Sequence, residues 1–244
     1  MIKINNLTKK YKDKLAVDNL NLEIKTGELF SLLGTNGAGK TTTIKMLSTL
    51  ILPTSGEVEI NNLDLVKDSS KIKEIINISP QETAVASNLT VLENLYFMAG
   101  IYQIPNKEDK IKELIKLFKL EEVLKQKAKT LSGGYQRKLS IAISLINNPK
   151  ILFLDEPTLS LDVISRHDLW KVIELLKGKT TIILTTHYME EAEVLSDRIG
   201  IMNKGKLIEL GTSKELIKKA KTKNFEDAFI KIIEEDNNEN TNIC

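Results

Sequence analysis

Leu29-Phe30-Ser31-Leu32-Leu33 followed by Gly34-Thr35-Asn36-Gly37-Ala38-Gly39-Lys40-Thr41 is the stretch that decides the reading of this chain. The first five residues form a short apolar run of the kind found in a strand buried on both faces. The next eight fit G-x-x-x-x-G-K-[ST] in full, and a helical run, Thr41–Leu50, follows. Each residue type has a physical reason. Gly34, Gly37 and Gly39 let the backbone curl until successive N–H groups face one point. The N-terminus of the following helix adds positive potential there. Lys40 contributes a compact charge for the terminal phosphates of a nucleotide. The Thr41 hydroxyl is a small oxygen donor suited to Mg²⁺. Asn36, Ala38 and Thr42 complete the phosphate-binding candidate set around those residues.

Working outward, two more buried strands are predicted, Lys150–Leu154 and Thr180–Leu184, each followed by a loop and a helical pattern. That alternation predicts an α/β core on a parallel sheet. The first of these strands runs into Asp155-Glu156. Adjacent acids at the end of a buried strand need partners for their charge. Beside a phosphate loop, a metal ion and an attacking water supply them. Asp155 is then the metal ligand, and Glu156 the general base or water-orienting group. Gly56–Leu65 and Ile199–Ile208 alternate polar and apolar residues around Asn61-Asn62 and Asn203–Gly205, which predicts hairpins. From Thr90 to Asn147 strand signals vanish and helical spacing takes over. Ile111, Leu114, Ile115 and Phe118 share one face, with Asn106 as the expected N-cap.

The bulk properties narrow the function classes. The chain has 244 residues, 41% hydrophobic and 28% charged, with a net charge of +2. That balance argues against a simple basic nucleic-acid binder. No apolar stretch approaches the roughly 18 residues of a membrane span, and Met1–Asn6 is too polar for a signal-peptide core. The single cysteine, Cys244, permits no internal disulfide and no cysteine-based zinc site. A reduced, cytosolic, globular protein is expected.

Leu131-Ser132-Gly133-Gly134-Tyr135-Gln136, just upstream of the Asp155-Glu156 strand, resembles the signature motif of ABC-transporter ATPases. With the phosphate loop in this order, the resemblance extends from Ile2 to about Ile230. It implies a P-loop NTPase (RecA-like) core of α/β class with an antiparallel β subdomain and an inserted helical lobe. The expected organisation is one ATPase domain over residues 1–232. Its nucleotide-binding core spans 1–82 and 148–222, its lobe 83–147, and a disordered acidic tail 233–244. By the same resemblance Gln81 is the Q-loop glutamine, contacting Mg²⁺ or the attacking water. Leu161-Asp162 ends the D-loop, His187 is the switch histidine at the γ-phosphate, and Tyr11 stacks on adenine. Thr41, Gln81 and Asp155 form the implied Mg²⁺ set. Ser132, Gly133 and Gly134 would face the ATP held by a second subunit, in a dimer that sandwiches two nucleotides. Independently, Ser132 is a good N-cap for a helix whose apolar stripe is Leu139, Ala142, Ile143 and Ile146.

Thr185–Glu193, Asn88–Leu95 and Asn224–Phe229 resemble the ABC-2 type export branch, which includes drug, sodium and polysaccharide exporters. The implied function is ATP hydrolysis that powers transport by a separate multispanning membrane subunit. The second ATPase copy would be the chain itself or a paralogue. The implied place is peripheral, on the cytoplasmic face of the cell membrane, with no nucleic-acid partner. Gln81–Leu89 and Tyr96–Tyr102 are the expected docking surface. Alternatives are an ATPase of the superfamily acting on DNA or in translation, and a nucleotide-binding regulator with little turnover. The short spacing between motifs and the intact Gln81, Glu156 and His187 argue against these. Two positions depart from the family: Ser160 stands where Gly or Ala is usual, and Ile143 where Arg is frequent.

Overall fold

The computed structural model describes residues 1–241, with side chains through residue 238. In chain order, β1 (Ile2–Tyr11) and β2 (Lys14–Ile24) form a hairpin, and β3 (Leu29–Gly34) leads into α1 (Lys40–Leu47). β4 (Ser55–Ile60) and the two-residue β5 (Leu63–Asp64) form a second hairpin, followed by α2 (Ser69–Ile75) and β6 (Ile76–Ser79). A helical segment comprises α3 (Val91–Ile101), α4 (Lys107–Phe118) and α5 (Gly133–Ser144). The chain then alternates β7 (Ile151–Asp155), α6 (Val163–Leu176), β8 (Thr181–Thr186) and α7 (Met189–Leu195). It ends with the hairpin β9 (Arg198–Asn203) and β10 (Lys206–Gly211), then α8 (Ser213–Ala220) and α9 (Phe225–Thr241).

Two sheets result. The antiparallel one runs β2-β1-β4-β5 and the six-stranded one β10-β9-β3-β8-β7-β6. In the latter β9, β3, β8, β7 and β6 are mutually parallel, and β10 closes the edge antiparallel to β9. The period of two along each central strand divides the core. Phe30, Leu32, Ile151, Phe153 and Ile183 face a cluster shared with the antiparallel sheet and α1. Leu29, Leu152, Leu154, Ile182 and Leu184 face the cluster that holds α3, α4 and α5. A central strand buried on both faces explains why these runs read as continuously apolar.

The helical segment is built as its spacing predicts. Ile111, Leu114 and Phe118 are buried, with Ile115 packed at their edge. Thr90 caps α3 in a reciprocal box with Glu93. Asn106 sits at the first position before α4, but in a left-handed conformation with its side chain capping nothing. Its carbonyl instead accepts the Asp109 and Lys110 N–H groups.

The acidic end departs from expectation. Residues 233–244 read as a disordered tail, yet α9 continues to Thr241; residues 242–244 lie outside the described residues. Phe225, Ala228, Phe229 and Ile232 anchor one face of α9 in a core cluster with Ile199, Ile201 and Leu216. Asn203 Nδ2 then donates to Asp236 Oδ2 at 2.7 Å and Asn237 Oδ1 at 3.2 Å. An anchored helix propagates past its apolar face at little cost per residue.

Candidate active site

Four loops leave the carboxyl ends of adjacent parallel strands on one edge of the larger sheet. The loop after β3 carries Asn36–Thr42, that after β6 Gln81, that after β7 Glu156, and that after β8 His187. Open α/β sheets place ligand crevices at this edge. Here those residues line a cleft of about 460 Å³.

The glycine loop is fixed by close backbone approach. Gly39 has φ 105°, and a Cβ there would meet the Ala16 carbonyl at 2.5 Å. A Cβ on Gly34 would strike the Met202 carbonyl. Gly39 is also the N-cap of α1 and supplies no side-chain cap, so the first turn keeps its donors for a ligand. Lys40 is buried. Its Nζ donates to the Gly34 carbonyl at 2.7 Å and the Thr35 carbonyl at 3.2 Å, and lies 3.4 Å from Glu156 Oε1.

The carboxylates are held from β8. The Thr185 hydroxyl donates to Asp155 Oδ1 at 2.5 Å, and Thr41 Oγ1 donates to the same oxygen at 3.0 Å. Thr41 and Asp155 thus bring two hard oxygen donors together at the start of α1, a donor chemistry that fits Mg²⁺. Glu156 has a left-handed backbone, φ 49°, which costs a non-glycine residue about 1–2 kcal/mol. Its N–H is bound by the Thr185 carbonyl at 3.1 Å and hydroxyl at 3.0 Å. This turn aims its buried carboxylate at Lys40 on one side and at His187 on the other, whose Nδ1 lies 2.8 Å from Oε2.

Not every residue singled out from the sequence reaches this cleft. Asn36, Gly37, Ala38, Gly39, Lys40, Thr41, Thr42, Gln81, Glu156 and His187 line it, and Asp155 lies directly behind Thr41. Tyr11 does not; it is exposed at the end of β1, with Lys9 Nζ 5.1 Å from its ring centre. Its register partner Lys14, and Ala16, line the cleft instead. Ser132, Gly133, Gly134 and Asp162 also lie elsewhere, together. Ser132 caps α5 by accepting the Tyr135 N–H at 3.4 Å. Asp162 caps α6 through the Ser165 N–H at 2.9 Å and hydroxyl at 2.6 Å. These bonds hold its carboxyl below the usual range. A Cβ on Gly134 would sit 2.8 Å from that same Ser165 Oγ, so the two helix starts abut.

The buried charges that escaped the sequence reading include Arg137 and Glu191. Arg137, 4% exposed, donates only to backbone carbonyls, from Pro80 and Gln81 to Asp155, Glu156 and Pro157. Burial pushes its pKa down to about 10, with Asp155, Glu191 and Glu156 pulling it back up. Glu191, fully buried on α7, accepts the Trp170 indole N–H at 3.0 Å. Burial raises its pKa, opposed by the Trp170 indole N–H. A lone Arg on a helix and a Glu in an acidic run both look like surface charge in sequence.

The chain is similar to known proteins in sequence and in fold. The model of the ABC transporter family matches residues 17–159. Human phospholipid-transporting ATPase ABCA3 is 43% identical over 87% of this chain, which spans 13% of that protein. The linearmycin resistance ATP-binding protein LnrL of Bacillus subtilis is 41% identical over 88% of this chain and 70% of its own length. Among solved structures, a dimeric post-hydrolysis state of the ATP-binding cassette MJ0796 bound to ADP and Pi superposes with a TM-score of 0.79. It shares 30% identity and covers 87% of this chain and 98% of its own.

Proposed function

This chain belongs to the ABC transporter family, and from that premise we propose that it is the ATP-hydrolysing engine of an exporter whose pore lies in another chain. The observation that carries the catalytic half is the Lys40–Glu156–His187 array at the mouth of four parallel strands, with Thr41 and Asp155 beside it. Lys40 and the loop N–H groups would bind the β- and γ-phosphates in place of the Gly34 and Thr35 carbonyls. Thr41 and Asp155, with Gln81 reaching in from the loop after β6, would hold Mg²⁺, which neutralises phosphate charge when bound. Glu156 would take the proton of the attacking water, and His187, already hydrogen-bonded to it, would orient it and sense the γ-phosphate. Adenine would lie over the first hairpin beside Lys14 and Ala16, with Tyr11 the aromatic available to stack on it.

Ser132, Gly133, Gly134 and Asp162 lie outside their own cleft, which supports a role across a dimer, toward the ATP of a second copy or a paralogue. The dimeric relative supports the same assembly. No helix among the described residues is long and apolar enough to cross a membrane. A multispanning partner would supply the pore and hold this chain at the cytoplasmic face. Tyr96, Phe97, Ile101 and Tyr102 of the helical segment and Leu50 and Leu52 after α1 are exposed apolar groups on this chain. They form the surface such a partner would cover.

Purified protein should hydrolyse MgATP. Glu156→Gln should keep nucleotide binding, lose about 10²–10⁴-fold in turnover and accumulate as an ATP-bound dimer on size exclusion. Undiminished turnover in that variant would refute the assignment.

A further inference from the structure

Arg137 gathers more of the site than any other side chain. It lies on α5, five residues from the Ser132 cap, and is buried without a carboxylate in salt-bridge contact. Nε donates to the Pro157 carbonyl at 2.7 Å. Nη1 donates to Pro80 at 2.5 Å and Gln81 at 3.3 Å, and Nη2 to Asp155 and Glu156, both at 2.7 Å. All three guanidinium nitrogens are used, so the planar fork has one fitting orientation. Its acceptors are the peptide units that carry Gln81 and Glu156. Glu156 is the strained, left-handed residue, and its peptide is pinned on both sides: the N–H by Thr185, the carbonyl by Arg137. Releasing the carbonyl frees that residue to relax toward an unstrained conformation and re-aim its carboxylate.

We propose that Arg137 is a positioning residue. It clamps the Gln81 and Glu156 loops in reactive geometry and ties both, as one body, to the helix that starts at Ser132. The inference rests on the ATPase reading above and deepens it. Since α5 begins at the end that would face the partner's nucleotide, a shift of that helix moves the general base and Gln81 of its own site. The signal therefore passes between the two ATP sites through one side chain, carried by direct contacts that both ends share.

The test compares wild type, Arg137→Lys and Arg137→Gln. An ammonium puts all its donors on one atom and cannot span both loops, so keeping the charge does not rescue the clamp. Both variants should bind ATP within about threefold of wild type, hold KM within a similar margin, and lose about 10–100-fold in kcat. A kcat retained by either variant, or a fall matched by equal loss of ATP affinity and of thermal stability, overturns the proposal. Hydrogen exchange tests it without turnover. In wild type, Mg²⁺ and the non-hydrolysable analogue AMP-PNP should protect residues 79–82, 155–157 and 132–137 together. In the variants, the first two segments should exchange at least about fivefold faster while the third stays protected. Independent protection of the segments in wild type sinks the clamp, whatever the variants do. Failure of wild type to bind AMP-PNP would count against the ATPase reading itself and so against the inference built on it.

Discussion

Two helix N-termini in this molecule look alike in sequence and are built for different tasks. α1 starts at Gly39 and α5 at Ser132, both flanked by glycines. At α1 the cap gives no side chain, and Lys40, Asp155, Glu156 and His187 converge on it. At α5 the cap is a serine that satisfies one backbone donor itself, and its neighbour is the capped start of α6. The first has a cation, carboxylates and a cleft of its own. The second lines no such cleft of its own, and the carboxylate beside it, Asp162, is spent on capping α6. A helix terminus alone attracts an anion by roughly 0.3–1 kcal/mol, which cannot hold a nucleotide. The comparison teaches that the first is a whole phosphate site and the second a fragment, which becomes useful only against the first site of another copy.

Lys40→Ala should break the comparison most severely. It removes the buried cation at the first terminus and leaves Glu156 buried without its Lys40 partner, a loss of about 3 kcal/mol or more. Titration with a fluorescent ATP analogue should show affinity down at least about a hundredfold, and phosphate release should fall to background. Retained binding would mean that the backbone cradle suffices alone. Ser132→Arg attacks the second terminus. Diluted protein should bind nucleotide within about twofold of wild type, because its own cleft is intact, while hydrolysis at concentrations that favour dimers should fall about a hundredfold, because a bulky side chain replaces the small capping hydroxyl where the partner's phosphate would sit. Equal damage to binding in both variants would erase the distinction between whole and fragmentary site.

The motifs behind this comparison were legible because their chemistry is local. Gly34–Thr41 and Asp155-Glu156 each gather their residues in one short stretch, so spacing points to their chemistry, while Ser132–Gly134 was readable through its resemblance to a family motif. The parallel core was legible for a similar reason, since strands buried on both faces are apolar at every position. What depends on distant partners was not. Arg137 acquires its role from carbonyls 18–20 and 56–57 residues away. Lys14 and Ala16, rather than Tyr11, line the cleft because the hairpin's register sets which residues face it. The end of α9 read as a polar tail because its hold, Asn203 on Asp236 and Asn237, comes from another strand.

Ser160 offers the finest test, since it lies on the loop that joins the two regions, between Glu156 and the α6 start that abuts Gly134. Its φ of 62° is left-handed, a conformation that favours glycine, one of the two residues usual there, over serine. The side chain is exposed, and Asp162, two residues on, already fixes the loop's end. Relief of the Cβ strain in Ser160→Gly, about 1 kcal/mol, is opposed by the extra freedom of glycine in the unfolded chain, about 0.4–1 kcal/mol. The expected net change is a small gain, under about 0.5 kcal/mol, read as a slightly higher urea midpoint with an unaltered slope. Turnover should stay within about twofold, because neither terminus loses a contact. If the stability read from that midpoint instead falls by more than about 1 kcal/mol, the Ser160 hydroxyl contributes a bond at the seam between the two regions, and the boundary drawn between whole and fragmentary site would have to shift to include it.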